Sequence, residues 1–74
     1  MPSTYEEKLA AYEKRWRETW HSWYGWSRGR PGYEILARAR QASNLQVDAR
    51  LGRDSLIDIL TESEVGRPPR RPRI

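Results

Sequence analysis

Residues 33–51 read YEILARARQASNLQVDARL, and their conformation decides the fold class of the chain. Between Leu45 and Leu51, apolar and polar residues alternate, which is the period-two pattern of a half-buried strand. A similar alternation runs from Tyr33 to Ala39. The two segments therefore predict a β-hairpin that turns at residues 41–44.

The same stretch also supports a helix. Ala, Leu, Glu and Arg are good helix formers, and residues 41–44 lack the glycine that tight hairpin turns prefer. The apolar residues of the first segment share one helical face: Ile35, Leu36, Ala39 and Ala42. We favour the hairpin because the second alternation is clean and a strand needs a partner. A helix over residues 33–42 is kept as the alternative.

The N-terminal third of the chain predicts a long amphipathic helix. Ser3 and Glu6 match a capping box, and Gly25 is a candidate stop. We therefore predict a helix from about Thr4 to Tyr24, followed by a loop over residues 26–32. Its large apolar side chains fall three or four residues apart and line one side: Tyr5, Leu9, Tyr12, Trp16, Trp20 and Trp23.

The C-terminal third predicts a short helix and a basic tail. The apolar pattern indicates a helix over residues 54–64, with Asp54 as its cap and Gly66 at its end. Residues 67–74 hold four arginines, three prolines and no acidic residue, whereas residues 1–66 are neutral overall. We therefore divide the chain into one small folded domain, residues 1–66, and an extended Arg/Pro tail, residues 67–74. The predicted fold class is α+β, and the alternative is all-α with three helices.

Composition excludes several kinds of site. The 74 residues suffice for one small domain, and they include no cysteine and a single histidine, so disulfides and the usual zinc sites are excluded. No apolar run is long enough to span a membrane, and no signal peptide is recognisable. We expect no enzymatic activity, cofactor, metal or small-molecule substrate, and a protein that is neither secreted nor membrane-spanning.

Four tryptophans lie within residues 16–26, and we predict that they serve both core and interface. Trp16 and Trp20 are expected to fill the core of so small a domain. The stripe exceeds what a short hairpin can cover, so Trp23 and Trp26 in particular are expected to meet another subunit. The candidate interface residues are Trp16, Trp20, Trp23, Tyr24 and Trp26. The candidate docking residues of the tail are Arg67, Arg70, Arg71, Arg73 and Ile74. A candidate acidic receptor face, if like subunits stack, is Asp54, Asp58, Glu62 and Glu64.

The order of long helix, hairpin, acidic helix and basic tail resembles the gpW-like head-completion proteins of tailed bacteriophages. The segments that carry this resemblance are YEEKLAAYEKRW, RDSLIDILTESE and RPPRRPRI. It implies a structural subunit of a homo-oligomeric ring at the head–tail junction, in the virion or the host cytoplasm, joined to its neighbours through the C-terminal segment.

Two other functions remain as alternatives to this assembly subunit. The first is a small nucleic-acid-binding accessory or regulatory protein, in which the tail and four arginines of the body contact phosphates: Arg28, Arg30, Arg38 and Arg40. The second follows from residues 51–56, LGRDSL, which resemble the phosphopantetheine-bearing serine region of acyl carrier proteins and would imply attachment at Ser55.

Overall fold

The computed structural model describes residues 4–43 and 46–70. These residues form three α-helices and no strand: α1 over Thr4–Ser27, α2 over Gly32–Ala42 and α3 over Arg53–Val65. The described fold is therefore all-α. The predicted α+β class with a β-hairpin is wrong, and the alternative of three helices is the observed architecture.

Residues 33–42 form α2 rather than a strand because their helical face is the one that reaches the core. Ile35 and Ala39, one turn apart, are completely buried. In the connection that follows, only Val47 is buried, and Ala49 and Leu51 are exposed although the strand pattern predicted that they face inward. The alternation there reflects a single anchoring residue. Leu45, the first residue of the predicted second strand, lies outside the described residues.

The first helix continues three residues beyond its predicted end. Gly25 does not stop it, and the predicted loop begins too early, because Trp26 lies on the helix and packs against the core. The chain leaves the helix at Gly29, whose φ of 79° is a left-handed conformation that favours glycine. Ser3 of the predicted capping box lies outside the described residues.

The ends of α3 agree with the sequence prediction to within one residue. Gly66, with φ of 80°, is the C-cap, and its amide donates to the carbonyl oxygen of Glu62 at 2.8 Å. Asp54 does not cap the helix, since the N-cap residue is Gly52. Asp54 instead lies in the first turn, where a carboxylate is favourable to the helix dipole.

Helix α3 packs against both α1 and α2. It runs antiparallel to α1, because Trp20 contacts Asp58 while Tyr12 contacts Gly66 further along. Helix α1 is roughly 36 Å long and α3 roughly 20 Å, at a rise of 1.5 Å per residue. Residues 4–11 therefore extend past the end of α3, and the molecule is elongated, 46 × 24 × 16 Å. The buried core joins all parts except α1: Ile35, Ala39, Val47, Leu56, Ile57 and Leu60.

Candidate protein-interaction surface

The large rings of α1 fall into two sets, and their order is the reverse of the prediction. Trp23 and Trp26 pack against the hydrophobic core, where an interface was expected. Trp16 and Trp20, which were expected to be core, are not among the described side chains that pack against it. Four aromatic residues of α1 repeat at every fourth position and form what we call the aromatic row: Tyr12, Trp16, Trp20 and Tyr24.

Trp23 and Trp26 also connect α1 to α2. Their rings meet edge to face, with centroids 5.3 Å apart and planes at 86°. The guanidinium of Arg38 lies over Trp23 at 5.3 Å, and that of Arg30 lies over Trp26 at 4.6 Å. Each arrangement suits the ring quadrupole, whose face attracts cations. These two rings therefore have a structural role inside the domain.

The aromatic row consists of two ring pairs on the outer side of α1. Trp20 and Tyr24 stack with centroids 5.4 Å apart and planes at 11°, and Tyr12 and Trp16 lie 6.2 Å apart. Tyr24 is 38% exposed, and the other three rings are half-buried. A shallow, mostly apolar depression of about 350 Å³ lies at the Tyr12–Trp16 pair, with Glu13 and Arg17 at its margin. The row thus presents large, partly ordered apolar surface outside the core.

The polar tips of the row are held by α3. The indole N–H of Trp20 donates to the carboxylate of Asp58 at 2.7 Å, and the hydroxyl of Tyr12 donates to the carbonyl oxygen of Gly66 at 3.0 Å. Partial burial, and then the nearby charge of Glu62, raise the pKa of the Tyr12 hydroxyl above its ordinary value. The row therefore borders the acidic side of α3, and its rings are oriented by these hydrogen bonds.

All four candidate receptor residues on α3 are exposed carboxylates: Asp54, Asp58, Glu62 and Glu64. None of them forms an ion pair within the described residues, where the two ion pairs are Arg30–Glu34 and Arg50–Asp48, both at 3.2 Å. Helix α3 is therefore an uncompensated strip of negative charge beside the aromatic row.

The tail is described as far as Arg70. Arg67 and Arg70 are exposed, and neither makes a hydrogen bond or ion pair with the part of the chain that the structure describes. Pro69 between them is half-buried. The remaining predicted docking residues lie outside the described residues: Arg71, Arg73 and Ile74.

The arginines proposed for phosphate contact are mostly engaged within the domain. Arg30 donates to the carbonyl oxygen of Trp26 at 2.9 Å and pairs with Glu34, and Arg40 donates to that of Val47 at 3.2 Å. Arg38 covers Trp23, as described above. Residues 28–53 hold six arginines against two acidic residues, yet much of this charge serves to join chain segments.

Residues that could carry other chemistry are isolated. His21 is exposed and makes an edge contact with the ring of Trp20 at 5.5 Å. Ser55 is exposed in the first turn of α3. Across residues 4–43 and 46–70, no cluster of acidic, histidine or cysteine side chains could hold a metal ion. No helix in these same residues has the length and apolar character needed to cross a membrane.

No family model, curated protein or solved structure matches this chain. The hairpin in the gpW-like order of elements is absent from the described residues, so the long helix, the acidic helix and the tail are what remains of that resemblance. The functional argument therefore rests on the surface chemistry of the chain itself.

Proposed function

We propose that this protein is a non-enzymatic assembly subunit that packs on neighbouring protein through its aromatic row and docks its basic tail on an adjacent subunit. The observation that carries the proposal is the row itself: four large rings on one helix lie outside the core of a small domain. A phage head–tail connector is the narrower form of this proposal, supported by the tail composition and the length of the chain.

The chemistry of the row suits a protein partner. Trp and Tyr are enriched among the residues that dominate binding energy at interfaces. Here two of the four rings are already fixed by hydrogen bonds to α3, at Trp20 and Tyr12, which lowers the entropy lost when a partner binds. A nucleic-acid partner is less well supported, because the arginines of the body already bind carbonyl groups and rings.

Sedimentation velocity over a concentration series tests the proposal. We expect wild-type protein to associate, and Trp16→Ala to weaken association by roughly 30-fold, the equivalent of ~2 kcal/mol for an interface anchor. Tyr33→Ala is the matched control, because Tyr33 is 73% exposed and stands apart from the row. A wild-type chain that stays monomeric, or equal losses in both variants, would contradict the proposal.

A further inference from the structure

We propose that the receptor for the tail is the groove between the aromatic row of α1 and the acidic side of α3 on a second copy of this chain. This inference rests on the proposed function and names its partner. The groove has an aromatic floor at Tyr12, Trp16 and Trp20, and its α3 margin carries Asp58 and Glu62.

The chemistry of the tail matches that of the groove. Proline-rich segments adopt an extended polyproline II conformation, and aromatic-lined grooves recognise it at low entropic cost. Arginines within such a segment can form forked hydrogen bonds to carboxylates at the margin. Arg17 is the one basic residue at the depression, on the margin away from α3, so the tail arginines are expected to lie toward Asp58 and Glu62.

The dimensions also agree. Eight tail residues in polyproline II conformation span about 25 Å at 3.1 Å per residue. The row from Tyr12 to Tyr24 spans about 18 Å along the helix at 1.5 Å per residue. One docked tail is therefore long enough to cover the whole row.

The charges favour docking between copies rather than within one chain. The four carboxylates of α3 and the guanidinium groups of Arg67 and Arg70 form no ion pairs with one another, although they belong to neighbouring segments. The left-handed conformation of Gly66 ends α3 and redirects the chain where the tail begins. Each copy then presents one tail and one groove, and such head-to-tail contacts generate rings or filaments.

A complementation experiment on full-length chains tests this arrangement. The tail variant carries Arg67→Ala and Arg70→Ala, and the groove variant carries Trp16→Ala and Glu62→Gln. Each alone is expected to associate at least ~10-fold more weakly than wild type, since each lacks half of the contact. Mixed in equal amounts, the intact tail of one variant meets the intact groove of the other, and we expect a 1:1 heterodimer that does not grow further.

The controls separate this inference from the proposed function. Arg50→Ala is the matched arginine control, because its side chain is 91% exposed and lies away from the groove, and it should associate like wild type. If the tail variant associates like wild type, or if the mixture forms no heterodimer while circular dichroism shows both variants folded, the tail–groove contact between copies is wrong and the assembly proposal stands. A wild-type chain that is monomeric at every concentration would overturn both.

Discussion

Trp23→Ala is expected to remove most of the free energy of unfolding, because Trp23 belongs to the core and to the α1–α2 contact at once. Truncating a core Trp to Ala costs about 3–5 kcal/mol. Trp23 is half-buried, so the lower end applies to the truncation, and the lost edge contact with Trp26 and the lost cation–π contact with Arg38 bring the total to ~3–4 kcal/mol. A domain of this size has a total of only about 4–11 kcal/mol.

Urea denaturation followed by far-UV circular dichroism measures this loss, at a protein concentration where the wild type sediments as a monomer so that association does not add to stability. Trp16→Ala is the matched control, since it removes the same side chain from the aromatic row. Its cost is expected to stay below ~1 kcal/mol, as for substitutions outside the core.

Equal losses of stability in the two variants would refute the division into core rings and row rings. The same conclusion would follow if Trp23→Ala unfolded at the wild-type urea concentration. In that case Trp23 would be an interface ring, as the sequence first indicated, and the packing around Arg38 would be incidental.

Three further predictions concern the helix ends, the α1–α3 contact and pH. Gly25→Ala should stabilise the fold by ~0.5–1 kcal/mol, because Gly25 is inside a helix with open space around it, whereas Gly29→Ala should cost ~1–2 kcal/mol at its left-handed φ; urea midpoints measure both. Asp58→Ala should remove ~1 kcal/mol of stability with the hydrogen bond from Trp20, again measured in urea. Because the pKa of Tyr12 is raised in the folded state, stability should fall as pH rises above about 10, the ordinary tyrosine value; Glu62→Gln should lower the Tyr12 pKa part of the way back, measured by NMR against Tyr12→Phe.

The local features of the fold were predictable from the sequence, and the fold class was not. The 3.6-residue period indicated α1, and Gly66 marked the end of α3, because both signals depend on neighbouring residues alone. The hairpin failed because a period-two pattern over seven residues can arise from one buried anchor, here Val47. Helix propensity and the Ile35–Ala39 spacing were the better guide to residues 33–42.

The division of the rings was not predictable, because the helical stripe places them all on roughly one side of α1. What separates them is the register of α3, which is about half as long as α1, together with the position of α2. Both shorter helices bring their apolar residues to the C-terminal half of α1, where Trp23 and Trp26 lie. Rings nearer the N-terminus then fall outside the core, and no single-helix pattern contains that information.

The distribution of arginine explains why the two proposed binding elements remain free. The apolar side chains of α2 face α3, so the contact between α1 and α2 depends on guanidinium groups over rings, Arg38 on Trp23 and Arg30 on Trp26. That arrangement uses cations of the body internally and leaves the carboxylates of α3 without ion pairs in the described chain. The unpaired positive charge is thereby concentrated in the tail and the unpaired negative charge beside the aromatic row. Two copies can neutralise both at once, and this is the physical reason to expect association between like chains.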